Sequence, residues 1–484
     1  MHSSEMTEDS RLSCWRRVRA FAVPPPMIDQ AAARRAVGDW AGACAAAHVD
    51  VDLHPRSTAR THGREIAARL RDDLRHLAPD LLRWHLPRAT PQGLILPGLT
   101  ISLARYATGD GRPLHLVART PPASAAGGQR FSLGVWDGSS ASAGRHPRPR
   151  PHRRFRLDLH RHLWDASHAG ELRTRAGVHR ALDRAWDEPR PDRAVPAGWA
   201  VSPGCAVSPA WAVPEDRTSP PGRAGPPGWA APAGCAVDHW AAEAEILLRA
   251  DGRAEDAVAV RLGARRLLAL RLAGPGPELA GVPRVASRLA ALPVLPDAAT
   301  WLPPDLLLLR AGLIDPGQLH PLVAEALVPG SPRPGPAPDG GVSPWLVDCG
   351  GVRHRIGLVD GVLVPLDHDP AEIRREELLT ALSGTPLPCL RVIDEAYRHP
   401  EHLDDIRARL DHGDFAGALA VVEALLGPEA VLRDGALRDE LMAAARGRIA
   451  HGLFRSGLAD RRGPHASRRR DHDRRRRPRQ AHYR

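Results

Sequence analysis

The chain has 484 residues, 43% hydrophobic and 25% charged, with a formal net charge of +11; this is ordinary globular composition, long enough for about two to four domains. It contains no Lys and no Asn, which excludes a Walker A loop, a Schiff-base enzyme and a protein kinase, because each needs a lysine amine or a metal-binding Asn. No apolar run approaches the roughly 20 residues that span a bilayer, and the short apolar run after the early arginines is no signal peptide, so a cytoplasmic chain without a membrane partner is expected.

The charge is unevenly placed. Residues 461–484 carry +9 of the +11, from 11 Arg against Asp471 and Asp473, so the basicity belongs to a tail. Six cysteines, Cys14, Cys44, Cys205, Cys235, Cys349 and Cys389, are scattered with no C-x-x-C. That is the pattern of reduced thiols and not of a disulfide framework or zinc ribbon. No cofactor is expected.

Residues 1–26 read as disordered or as a mis-assigned start, because Met27 directly precedes the first helical pattern. Helices are expected over Ile28–Ala47 and Arg64–Leu77, the second with Ile66, Leu70, Leu74 and Leu77 as its apolar stripe. Alternating runs at Leu99–Tyr106, Pro113–Thr120 and Arg130–Gly138 predict strands, with Gly109–Gly111 as a hairpin loop. A fourth strand is expected from Arg154 to His160, leading into a helix near Glu171–Asp187 and closing an α+β domain over 27–188. On that strand the period of two puts Phe155, Leu157 and Leu159 on one face and Asp158, His160 and His162 on the other. Those three are candidate metal ligands. Arg154 and Arg156 share their face and oppose a cation, which favours a solvated polar face instead.

From Ala194 the sequence falls into sixes: AVPAGW, AVSPGC, AVSPAW, AVPEDR, TSPPGR, AGPPGW, AAPAGC, AVDHWA. Ala holds the first position in seven of the eight units, while the sixth drifts among Trp, Cys and Arg, residues a single base change can interconvert. Duplication of a short GC-rich DNA unit accounts for the pattern, and proline throughout excludes a left-handed β-helix. Residues 189–237 therefore read as a disordered linker. Cys205, Cys235 and His239 supply only three of the four ligands a structural zinc site requires.

A helix over Ala241–Ala250, a hairpin within AVAVRLGARRLLALRL and a helix introduced by Asp315-Pro316 fill 238–329, which completes the first domain if the hexads are an insertion. Residues 330–343 form a second linker. The last module, 344–458, opens with a three-stranded meander whose turns are Gly350-Gly351 and Asp360-Gly361. Its register pairs Cys349 with Val352 and Val347 with His354, placing His354 on an apolar face with Val347, Val352 and Ile356. That reading makes it a core histidine and not the base of a Cys349 nucleophile. Asp367–Pro370 reads as a turn and helix cap, with Asp369 as cap and Glu372 at the capping-box position. Helices follow near 388–398, 400–410 and 415–426, then a long one ending near Phe454. The fold class expected is α+β: two mixed modules, antiparallel β-meanders with helices, joined by disordered Pro/Gly/Ala-rich linkers.

Within Leu410–Gly427, Gly413, Phe415 and Ala418 fall where a tetratricopeptide repeat places its Gly, aromatic and small residue, so this helical hairpin resembles that family and implies an interaction surface. No 34-residue period surrounds it. The missing Lys and Asn, with Trp (12) outnumbering Phe (5) and Tyr (3) together, resemble proteins of very high-GC, streptomycete-type actinobacteria. No G-x-S-x-G, H-E-x-x-H or post-strand G-x-G-x-x-G occurs, and no catalytic residue is nominated. The function expected is a non-catalytic interaction or accessory component with a protein partner. Alternatives are non-specific nucleic-acid binding through the tail 459–484, by Arg468, Arg469, Arg470, Arg474, Arg475, Arg476, Arg477 and Arg479, and an enzyme of unrecognised class.

Overall fold

The chain is α+β in a computed structural model that describes residues 8–89, 92–109, 111–139, 146–176, 231–232, 234–263, 266–272, 278–281, 291–330, 345–349, 352–359, 362–369, 371–375, 378, 388–398, 403–426, 432 and 434–458. Helix α1 (Glu8–Arg17) runs into a π-helical turn, Val18–Ala22. Cys14, Val18, Ala22 and Val23 are all buried. Residues 8–23 are thus packed, where the sequence suggested disorder as one of its two readings. The helix expected over Ile28–Ala47 is two: α2 (Pro25–Ala36) and α3 (Trp40–Ala46). Gly38 at φ 77° turns the chain between them, and Asp39 caps the second by accepting from the Gly42 amide at 2.8 Å.

Strand β1 (Val49–Val51) is followed by α4 (Pro55–His62), α5 (Arg64–His76) and α6 (Pro79–His85). A short hairpin, β2 (Arg88–Ala89) and β3 (Leu94–Ile95), leads to β4 (Thr100–Tyr106), β5 (Leu114–Arg119) and β6 (Phe131–Trp136). The main sheet has the order β1-β6-β5-β4, with β1 parallel to β6 and the other pairs antiparallel. Nearly every residue of β4 and β5 is buried, so both faces of the sheet are covered.

The strand expected from Arg154 does not form. Arg156 makes one isolated bridge to Ser102, and the chain then closes into 3-10 turns at Leu157–Leu159 and Arg161–Leu163. Trp164 is the reason: fully buried, it donates its indole N–H to the Leu157 carbonyl at 3.0 Å, which curls the segment back on itself. Of the helix expected near Glu171–Asp187, one turn, Leu172–Arg175, is seen, and 177–187 lie outside the described residues. So do most of the hexads, most of the second linker and the tail.

Helix α7 (Trp240–Ala250) precedes β7 (Ala257–Arg261), β8 (Leu267–Arg271) and β9 (Glu278–Gly281), an antiparallel sheet in sequence order. Trp240 is buried and donates to the Thr300 carbonyl at 3.0 Å. Arg175 grips Glu243 with both ends of its guanidinium, at 2.5 and 2.6 Å. Helices α8 (Pro304–Arg310) and α9 (Pro321–Leu327) follow; Asp315-Pro316 opens only a 3-10 turn, Pro316–Gln318.

The last region carries β10 (Trp345–Cys349), β11 (Val352–Val359) and β12 (Val362–Pro365), then α10 (Pro388–Arg398), α11 (Leu403–His412), α12 (Phe415–Leu426) and α13 (Ala436–Ser456). Cys349 pairs with Val352 and Val347 with His354, the register the turns imply. Ile356, Ile393, Ile406, Leu410, Ala418, Val422 and Leu437 make the core beneath. Val352, in contrast, is 58% exposed, so the face holding His354 ends one residue pair short of the turn.

Two compact units result. The described residues within 171–303 form one, and those within 8–170 and 304–458 form the other. In the second, the C-terminal helices close on the turns between β5 and β6: a Cβ on Gly413 would lie 2.2 Å from the Gly128 carbonyl oxygen, and one on Gly127 would lie 2.5 Å from the backbone of Gly447. Glycine is required where backbones approach this closely. Among the described residues no helix is long and apolar enough to cross a membrane.

Candidate functional site

The densest chemistry sits on α6, with sequence PDLLRWH. Leu81, Leu82 and Trp84 are apolar and buried on several sides of this short helix, so Asp80, Arg83 and His85 have no solvent face to occupy. They are satisfied from elsewhere in the same compact unit. Asp305, in the first turn of α8, accepts from Arg19 Nε at 2.8 Å and from the Trp84 indole at 3.0 Å; its second oxygen lies 2.8 Å from Arg19 Nη2 and 3.5 Å from His85 Nε2. The Arg19 guanidinium also lies over the Trp84 ring at 3.8 Å. Burial pushes the Asp305 carboxyl up, but Arg19 and His85 more than reverse this and hold it below the ordinary carboxylate range. His85, in turn, is pushed down by burial against the pull of Asp305.

A second pair adjoins it through α6. His320 accepts from the Leu322 amide at Nδ1 (3.3 Å) and donates from Nε2 to Asp80 at 2.9 Å, which fixes its tautomer. Arg35 stands 3.7 Å from the other Asp80 oxygen. Arg83 is different. Fully buried, it donates, among the described residues, only to main-chain carbonyls: Ala22 at 2.8 Å, Gln129 at 2.5 Å and His412 at 2.8 Å.

At the far edge of the sheet, β1 presents Asp50, followed by Asp52. Asp50 receives Arg130 at 2.5 Å and His451 Nε2 at 3.0 Å, and Asp52 receives both ends of the Arg455 guanidinium at 2.5 Å. His451 Nδ1 meets the Ala125 carbonyl at 3.1 Å. These bonds hold one face of α13 against the sheet.

The candidate metal ligands are placed apart from one another in role. Asp158 is gripped by Arg156 at 2.9 and 2.8 Å, and His160 Nδ1 meets the Arg156 carbonyl at 3.1 Å. The His160 and His162 rings meet edge-on at 5.7 Å and both are buried, which corrects the expectation of a solvated polar face. Among the described residues no group of three or more His, Cys, Asp or Glu is placed to hold a metal ion. His354 is buried and stacks on His368 at 4.1 Å, donating from Nδ1 to the Asp367 carbonyl at 3.1 Å. Cys235 bridges to Trp301 through the backbone. Cys205 and the tail arginines Arg468, Arg469, Arg470, Arg474, Arg475, Arg476, Arg477 and Arg479 lie outside the described residues.

Sequence reasoning missed α6 altogether. The available signal was Asp80, Arg83, His85 and Arg88 interleaved with Leu81, Leu82, Trp84 and Leu86, which leaves no polar side for the charges. Comparison with family models, with curated proteins and with solved structures finds no match to this chain.

Proposed function

We propose that this chain is a non-catalytic, cytoplasmic interaction component that docks an amphipathic partner helix on the outer face of α13. The observation that carries this is the pairing of an anchored face with an apolar exposed one. His451 and Arg455 fasten α13 to Asp50 and Asp52, while Met442, Ile449 and Leu453 are 49%, 63% and 42% exposed. At spacings of seven and four they share one side of the helix. An exposed apolar stripe on a fixed helix is the form of a helix-docking surface. Arg446 stands within the stripe and makes no ion pair with a described residue, so the complementary partner carries a carboxylate opposite it. The free, buried thiols of Cys14 and Cys44 accord with a reducing compartment.

Affinity capture with wild type and with Ile449→Glu tests the reading. The variant is expected to melt as wild type does and to lose the captured partner; retention of the same partners by the variant overturns it. The rival reading rests on the tail charge. It is supported if captured material is nuclease-sensitive and is lost, with a steep salt dependence, when the chain ends at Asp460.

A further inference from the structure

The outer face of α13 carries its own complement. At 3.6 residues per turn, Asp439, Met442, Arg446, Ile449 and Leu453 fall within an arc of about 80°. All five are exposed. They stand opposite the side that fixes the helix, where Leu437 and His451 are buried, Leu441 and Ala444 pack against the core, and Arg455 meets Asp52. The stripe is thus apolar with one carboxylate and one guanidinium, set three residues before Met442 and four residues after it. Neither Asp439 nor Arg446 makes an ion pair or a side-chain hydrogen bond with a described residue. Two turns apart along the helix, about 10 Å, they do not meet each other.

Two copies of such a helix, laid antiparallel about a two-fold axis, satisfy one another. An isologous contact sets residue i of one copy opposite j of the other and j opposite i. The register that brings Asp439 opposite Arg446 of the second copy puts the axis between positions 442 and 443. Both ion pairs then form at once, Met442 faces the exposed Ala443 of the second copy, large against small, and Ile449 covers the first turn of the second copy's helix. An axis at position 446 would press the two Arg446 guanidiniums together. One between 447 and 448 would bring Met442 to Leu453 but leave both charges unanswered. A foreign helix would have to present the opposite charges at this same spacing, whereas a second copy has them by symmetry. We infer that α13 is a homodimerisation helix, which pairs antiparallel with α13 of a second copy through Met442 and two reciprocal Asp439–Arg446 ion pairs. The inference rests on the outer face of α13 being a docking surface, and it names the occupant.

Sedimentation equilibrium of the full chain at physiological salt tests the pairing. Wild type is expected to be a dimer. Asp439→Arg and Arg446→Asp each turn two attractions into two repulsions, so each variant alone is expected to dimerise at least about tenfold more weakly. In an equimolar mixture of the two variants every facing pair is again opposite in charge, and the dimer is expected to return. A monomeric wild type, single variants that dimerise as wild type does, or a mixture that stays monomeric overturns the inference. Should either variant fail to fold, Met442→Cys decides: mild oxidation must cross-link it through position 442 while wild type stays uncross-linked, and an absent cross-link refutes the register. A monomeric wild type whose captured proteins are still lost on Ile449→Glu removes the second copy and leaves the docking face standing.

Discussion

Asp305 answers three side chains drawn from two distant stretches of the chain, Arg19, Trp84 and His85, and its role is visible only once they meet. Replacing it by Ala leaves Arg19 charged, buried and unpaired, so Asp305→Ala is expected to lower unfolding stability by about 3–5 kcal/mol, while the double change Arg19→Met with Asp305→Leu retains most of it. Urea unfolding of both variants measures this, and equal losses would contradict it. Acid acts on another set of residues. Burial is the main force holding His48, His115 and His412 down to about 4, about 4 and about 3. The unfolded chain takes up these protons near 6.5, so between 6.5 and about 4 it binds more protons than the fold does, and stability falls as pH falls. Below the ordinary aspartate value of 3.8 the depressed carboxyls of Asp50 and Asp305 add a second loss. A urea midpoint that stays flat from pH 6.5 to 4 would rule this out. Little of this was readable from the sequence, because a buried carboxylate and a surface one have the same letter. Asp158, His160 and His162 attracted attention through spacing alone, whereas Asp305 lies 286 residues from Arg19 and no local pattern joins them.

Elements whose hydrogen bonds are local were readable in advance. The meander β10–β12 and its register followed from two glycine-containing turns, and α5, β4, β5 and β6 followed from periodicity, because neighbours in sequence are their partners in space. The strand expected at Arg154 failed where a distant demand overrode the alternation: burying Trp164 curls the backbone into 3-10 turns. The α2–α3 break was marked by Gly38 and Asp39 and passed over for the surrounding alanines. Glycine positions offer the sharpest test at this scale. Gly63, between α4 and α5, has φ 94° with open space where a Cβ would stand, whereas Gly413 has φ 85° and meets the Gly128 carbonyl. Gly63→Ala is expected to lose only the roughly 1–3 kcal/mol of holding a side chain at φ 94°, ψ 159°, a backbone region that glycine alone adopts readily. Gly413→Ala is expected to lose more than about 3 kcal/mol, since α11 must also move off the turn. Equal melting temperatures for the two variants would remove the close approach from the account.

For the whole molecule, composition set the class and the linkers marked where the pattern changes, but nothing local shows which segments share a core. The C-terminal meander and helices read as a module over 344–458, yet His412 and His451 are buried against Gln92, Ala125 and Asp50. A fragment of 344–458 is therefore expected to show helical circular dichroism without a cooperative melt, and a sharp transition in that fragment would show that the shared surface is dispensable. The discontinuous unit also imposes an order on the chain's birth. Asp50 and His451 are 401 residues apart, which at a synthesis rate of about 5–20 residues per second separates their appearance by roughly 20–80 s. Within that interval Glu171–Pro303 acquires all its sequence and can close, while the sheet made earlier waits on the ribosome with its glycine turns and β1 carboxylates uncovered. The first half of the protein is thus obliged to persist as an unfinished surface until the C-terminal helices arrive to cover it.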